Sequence, residues 1–113
     1  MLEWYDTRLE PSEMIEQVAQ LMCAGTLAIS GSTDVQHGGR SVDLAIPVEV
    51  LTVREVFLSW AGWDPIGDFD ADRFDVDLVE QVEPWLAERP GLVALIEFPA
   101  PLAALARLDV NRP

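Results

Sequence analysis

The chain has 113 residues, carries twenty Asp and Glu against seven arginines and no lysine, and has a net charge of −13 at neutral pH. Without lysine it cannot form a lysine Schiff base or a P-loop, and its charge disfavours direct binding to nucleic acid or to an anionic membrane. Half of the residues are apolar, which excludes an acidic disordered tail and predicts a single domain over residues 1–113. The partner that this charge favours is a basic protein surface.

Cysteine and hydropathy usage predict a cytoplasmic protein. Cys23 is the only cysteine, so no intramolecular disulfide can form, and its apolar neighbours predict a buried, inert thiol at the end of a helix. The N-terminal residues lack the basic and apolar regions of a signal peptide, and no apolar run approaches the roughly 20 residues that span a bilayer. The absence of lysine, with abundant Ala, Val, Leu and Asp, is typical of a GC-rich bacterial or phage genome.

The N-terminal part of the chain predicts a short strand and a helix. Residues 2–6 favour an edge strand. Pro11 and Glu13 suit the first turn of a helix, where proline loses no hydrogen bond and a carboxylate meets the positive end of the helix dipole. Apolar residues then recur at helical spacing, and Gly25 is expected to end the helix.

The next part predicts two strands and a second helix. Strands are expected at residues 26–30 and 42–47, joined by a flexible loop near 31–40 that is rich in Gly, Ser and Asp. Residues 48–61 contain valines typical of strands, but their polar positions share one face of a helical wheel. Because Pro47 can also begin a helix, we predict that residues 48–61 are helical.

A turn-rich acidic connection over residues 64–76 leads into the C-terminal part. Asp77 and Glu80 have the three-residue spacing of a capping box, which predicts a helix from about Asp77. Pro84 cannot lie undisturbed inside that helix, so it is expected to kink it or to begin a new turn. Residues 91–98 are mostly apolar and lie between Pro90 and Pro99, a pattern that predicts a buried strand.

A last short helix is predicted over residues 101–108. The full order is then strand, helix, strand, strand, helix, helix, strand, helix. This order predicts an α+β fold, a small two-layer sandwich of a short mixed or antiparallel sheet with three to four helices. A mainly α fold is the alternative.

The strongest functional signal is the acidic segment. Residues 64–88 hold nine carboxylates and one arginine, and tryptophans flank the carboxylates, an arrangement common in protein interfaces. Such a negative ridge steers a basic partner and speeds its association. The predicted partner-binding residues are Asp68, Asp70, Asp72, Asp75, Asp77, Glu80 and Glu83, with Trp63 and Trp85. The alternative is that these carboxylates form only a solvated surface.

Part of the same segment resembles the opening of a calcium loop. Asp68, Asp70 and Asp72 alternate as three oxygen ligands would in such a loop. The pattern then fails, because Arg73 stands where the loop needs glycine and Val79 stands where it needs a bidentate acid. A small metal-dependent enzyme or subunit that uses these aspartates is therefore the alternative function.

The sequence contains no catalytic or cofactor motif. His37 is the only histidine, and the nearby serines lack the surroundings of a nucleophile elbow. Gly38 and Gly39 are expected to precede a strand, unlike a phosphate loop. Glu97 interrupts an apolar run and would attract functional interest only if it faced the core. We therefore expect a non-enzymatic accessory factor, inhibitor or immunity-type protein that needs no cofactor.

Overall fold

The computed structural model describes residues 2–104, 106 and 108. It divides into two compact units, one formed by the residues up to Val48 with Pro90–Leu92, the other by Glu49–Arg89 with the residues from Val93 onward. The helices and strands are α1 (Pro11–Ser30), β1 (Asp34–His37), β2 (Arg40–Asp43), β3 (Glu49–Thr52), α2 (Val53–Trp60), α3 (Ala71–Asp77), α4 (Glu83–Leu86) and β4 (Val93–Ile96). The predicted α+β class is confirmed, with the strands arranged as one antiparallel and one parallel pair. The single domain over residues 1–113 stays a prediction.

Helix α1 begins as predicted and ends later than predicted. Pro11 lies in the first turn of α1. The Glu13 carboxylate accepts the backbone N–H of Glu10 at 2.8 Å, and this N–H has no hydrogen-bond partner inside the helix. The helix passes through Gly25 and ends at Gly31, whose φ of 72° suits a left-handed cap. The predicted stop at Gly25 and the predicted strand at residues 26–30 are therefore wrong, because an established helix overrides the local β propensity.

Strands β1 and β2 form an antiparallel hairpin. The two residues between them, Gly38 and Gly39, have φ values of 56° and 77°, as a two-residue turn of type I′ requires. The segment predicted as a loop, residues 31–40, thus contains most of this hairpin, although its mobility stays a prediction. The strand predicted at 42–47 covers only the end of β2. The edge strand predicted at residues 2–6 is wrong, since no described strand pairs with that segment.

Strands β3 and β4 pair in parallel. The strand predicted over residues 91–98 is confirmed for Val93–Ile96, where its residues are half-buried and not buried as predicted. Strand β3 leads directly into α2. There the Thr52 hydroxyl accepts the Glu55 N–H at 3.2 Å, and the Glu55 carboxylate accepts the Thr52 N–H at 3.0 Å. This capping box fixes the start of the helix at Val53. The helix predicted over residues 48–61 is therefore correct only from Val53.

Helices α3 and α4 are joined by a π-helical turn into one continuous helical segment, residues 71–86, which we call the acidic helix. The Asp70 carboxylate accepts the Arg73 N–H at 3.0 Å and caps its first turn. The capping-box start predicted at Asp77 is wrong, because Asp70 supplies the cap about two turns earlier. The connection predicted over residues 64–76 is accordingly helical in its last part.

The π-helical turn, Leu78–Val82, lies directly before the proline of the acidic helix. Within it the Glu83 N–H bonds to the Leu78 carbonyl, five residues back. Pro84 follows in the first turn of α4, in agreement with the prediction that it begins a new turn. A proline ring clashes with the carbonyl one regular turn earlier, so a wider turn at this point accommodates it.

The core of the second unit orients the acidic helix. It consists of Val53, Val56 and Phe57 from α2 with Phe74 and Val82 from the acidic helix. The rings of Phe57 and Phe74 stack with centroids 4.6 Å apart. Burial of each large side chain contributes roughly 1.5–3 kcal/mol, which fixes the face of the acidic helix that points inward.

The C-terminal part of the described chain contains only a short helical turn after β4. A 3-10 turn at Ala100–Leu102 stands where a helix over residues 101–108 was predicted, and residues 105, 107 and 109–113 lie outside the described residues. None of the described helices has the length and apolar content needed to cross a bilayer.

Candidate partner-binding surface

The outward side of the acidic helix combines carboxylates with exposed valines. Phe74, Leu78 and Val82 point towards the core at four-residue spacing. Apart from the half-buried Asp77, the side chains at the intervening positions are exposed, including Val76 at 52% and Val79 at 58%. We call the exposed set the acidic face; it consists of Asp72, Asp75, Val76, Val79, Glu80 and Glu83. A helix that buries one side in the core therefore presents an apolar strip bordered by negative charge on the other.

The arginines of the second unit, as far as it is described, pair with carboxylates outside the acidic face. Arg54 approaches Asp64 at 2.7 Å, Arg73 approaches Asp77 at 3.3 Å, and Arg89 approaches Glu49 at 2.9 Å. Side chains on the acidic face take part in no ion pair among the described residues. Its carboxylates are therefore not paired with any arginine in the part of the chain that the structure describes.

Asp77 and Trp63, both predicted to bind the partner, contact each other, and their role in partner binding stays a prediction. The Trp63 indole Nε1–H donates to Asp77 Oδ2 at 2.7 Å, and Arg73 Nε donates to the same oxygen at 3.3 Å. The Arg73 guanidinium also lies 4.5 Å from the centre of the Trp63 ring. Because Asp77 is half-buried and accepts two hydrogen bonds, it anchors the acidic helix to the preceding loop and lies apart from the exposed carboxylates.

Trp85, the other predicted aromatic contact, is half-buried beneath two neighbours. Its ring stacks on Trp60 at 5.0 Å and receives the Arg89 guanidinium at 5.1 Å. Trp60 itself is 46% exposed, so its ring presents more surface to solvent than that of Trp85. An aromatic contact made by this pair would therefore be made chiefly through Trp60.

The three aspartates of the calcium-like pattern do not gather around one point. Asp70 is engaged as the helix cap, and Asp68 lies in the loop before it while Asp72 lies inside the helix. In the part of the chain that the structure describes, no three His, Cys, Asp or Glu side chains are placed to hold a metal ion. The arrangement gives the metal alternative no geometric support.

The other residues of chemical interest are dispersed. His37 is exposed at the end of β1, and Cys23 is half-buried in the middle of α1 rather than buried at a helix end. Glu97 is exposed in a left-handed conformation, with φ 58°, so its carboxylate does not face the core. No protein-family model, no curated protein and no solved structure matches the chain.

Sequence reasoning missed Val76 and Val79. Val76 follows Asp72 by four residues and Val79 follows Asp75 by four residues, which places all four on one side of a helix. The signal was present in the sequence. It could be used only once the helix was known to begin at residue 71, since a start at Asp77 leaves Val76 outside it.

Proposed function

We propose that this protein is a non-enzymatic binding module, an accessory factor, inhibitor or immunity-type protein, whose acidic face contacts a basic protein surface. The observation that carries the proposal is the combination, on one exposed side of a core-anchored helix, of four unpaired carboxylates with two exposed valines. We place this function in the cytoplasm, because the lone Cys23 can form no intramolecular disulfide.

The two kinds of side chain contribute differently to such an interface. Val76 and Val79 supply apolar surface whose burial contributes about 25 cal/mol per Å². Asp72, Asp75 and Glu80 act earlier, because unscreened negative charge raises the rate of encounter with a basic surface, by about 10- to 1,000-fold in favourable cases. The valines thus slow dissociation of the complex, and the carboxylates speed its association and select a basic partner.

Matched charge variants test the proposal. The face variant Asp75→Asn/Glu80→Gln/Glu83→Gln removes three negative charges from the acidic face. The control variant Glu3→Gln/Glu16→Gln/Asp34→Asn removes the same charges from exposed positions elsewhere. Each tagged protein is expressed in the native host, crosslinked in the cell and purified, and its crosslinks are mapped by mass spectrometry.

The expected result is a stoichiometric basic protein that crosslinks beside the acidic helix in the wild type and in the control variant, and is lost from the face variant. Equal recovery of that protein with the face variant would contradict the proposal. Crosslinks confined to other parts of the chain would also contradict it.

A further inference from the structure

Helix α1 carries an apolar stripe with several exposed side chains. On a helix of 3.6 residues per turn, six positions fall within an arc of about 100°; they are Met14, Val18, Leu21, Met22, Gly25 and Ile29, which we call the α1 seam. Leu21 is 45% exposed, Met22 44% and Ile29 90%. The one fully buried residue of α1, Ala19, lies to one side of the seam.

The first unit does not cover the seam with its own elements. Within that unit, neither strand of the β1–β2 hairpin packs along α1. The N-terminal segment reaches α1 through the Trp4 Nε1–H, which donates to the Gln17 side chain at 2.8 Å, and Gln17 lies outside the seam. A helix of twenty residues, about 30 Å long, therefore exposes the apolar side chains of the seam from Val18 to Ile29, while Met14 is half-buried.

We propose that the α1 seam is a self-association surface, on which α1 of a second copy packs antiparallel. A twofold axis between Leu21 and Met22 makes the seam complementary to itself. It sets Val18 of one copy against Gly25 of the other, and Met14 of one copy against Ile29 of the other. A side chain added at Gly25 would meet no atom of its own chain within 4 Å, so the space that Val18 of the second copy needs is open.

The charges of α1 disfavour a basic partner on the seam and favour the antiparallel direction for a pair of copies. The carboxylates of α1, Glu13 and Glu16, lie on the side of the helix away from the seam and in its first half, and no charged residue follows Glu16 in the helix. A basic partner would therefore find no carboxylate on the seam. In a parallel pair the acidic halves would lie side by side, whereas in an antiparallel pair each lies beside an uncharged half.

Sedimentation equilibrium of the full chain tests the inference. Leu21→Glu places a charge in the seam, and Gln20→Glu adds the same charge on the opposite side of α1. We expect a concentration-dependent dimer for the wild type and for Gln20→Glu. Leu21→Glu should weaken the dimer by about 100-fold or more, because each of two copies loses a buried leucine. Circular dichroism verifies that both variants stay folded.

A monomer at every concentration, or equal dimerisation of the two variants, would overturn the inference. So would a wild-type monomer that binds phosphatidylcholine vesicles and loses that binding in Leu21→Glu, because the seam would then be a lipid-binding surface.

Disulfide trapping tests the direction of the pair. In a Cys23→Ser background, Met14→Cys and Ile29→Cys proteins are mixed and oxidised. The antiparallel pair predicts the mixed Met14→Cys/Ile29→Cys crosslink and little Ile29→Cys homodimer. Trapping of the Ile29→Cys homodimer without the mixed crosslink would show a parallel pair and contradict the proposed geometry.

Discussion

The carboxylates of the second unit fall into two groups according to what their oxygens bind. Asp64 and Glu55 accept hydrogen bonds from nearby backbone N–H groups, those of Ile66 and Thr52. Asp70 caps a helix, and Asp77 accepts hydrogen bonds from Trp63 and Arg73. The carboxylates of the acidic face make no hydrogen bond within the described chain. The first group is held by contacts within the fold, whereas the second makes none in the described chain and is the group that we propose for partner binding. Single substitutions should separate the two roles.

Asp70 should act through its hydrogen bond and not through its charge. Replacing it with alanine removes the acceptor for the Arg73 N–H and should lower the free energy of unfolding by about 1 kcal/mol. Asp70→Asn should leave stability nearly unchanged, because asparagine caps helices about as well. Urea unfolding of both variants, with Asp68→Ala as the control, measures this. Equal losses for Asp70→Asn and Asp70→Ala would contradict it.

Asp64 should make stability depend on acidic pH. Desolvation, the largest single effect, raises the pKa of its carboxyl, but the N–H groups of Ile66 and Gly67 together with Arg54 outweigh it and lower the pKa below its ordinary value. A lowered pKa in the folded state means that the unfolded chain binds the proton more readily. The stabilisation is therefore present above about pH 4 and is lost as pH falls through the folded value.

Thermal melts of the wild type and of Asp64→Asn at pH 6 and pH 3 test this sign. The variant should melt lower than the wild type at pH 6, and the difference should shrink at pH 3. Asp68→Asn is the control, since the Asp68 side chain accepts none of the hydrogen bonds in the described chain. A difference that stays constant, or that grows at low pH, would contradict the account.

At the scale of elements, prolines and capping residues predicted more than the general composition of a segment did. The first turn of α1, strand β4 and the new turn at Pro84 follow from strong local signals, and all three are confirmed. The hairpin was missed because Gly38 and Gly39 were interpreted as loop residues, although a Gly-Gly pair is itself a two-residue turn signal. The boundary at Val53 was missed because a strand and a helix meet there without any break in apolar character.

The candidate surface was predictable only in part. Its carboxylates are visible in the sequence as a charge cluster, and Asp72, Asp75, Glu80 and Glu83 are exposed as expected. The separation of Asp77 from them could not be predicted, because it depends on Trp63, fourteen residues away in the chain. Tertiary contacts of this kind leave no periodic signal.

Replacing a side chain with alanine should affect stability differently on the two sides of the acidic helix. Phe74 is 2% exposed and stacks on Phe57, so Phe74→Ala should lower the free energy of unfolding by about 3–5 kcal/mol. Val76→Ala, on the exposed side, should change it by less than about 0.5 kcal/mol. Chemical denaturation measures both. A large loss for Val76→Ala would show that this side is covered and would remove Val76 from the acidic face.

At the scale of the whole molecule, the net charge of −13 gives the two proposed contacts opposite salt dependences. Two copies of the chain repel each other, so screening should strengthen the dimer as sodium chloride rises from about 50 to 500 mM. Binding of a basic partner should weaken over the same range, because salt screens the attraction. Sedimentation and partner titration at both salt concentrations measure this. Salt dependences of the same sign would contradict one of the two assignments.

The acidic face is the central claim, and the rate at which the chain associates with the basic partner recovered from the host tests it most directly. Stopped-flow measurements at low salt compare the wild type with the face variant Asp75→Asn/Glu80→Gln/Glu83→Gln and with the control variant Glu3→Gln/Glu16→Gln/Asp34→Asn. The account predicts a rate at least about 10-fold lower for the face variant, a smaller salt dependence for it, and a nearly wild-type rate for the control. Equal association rates for the face and control variants would contradict it.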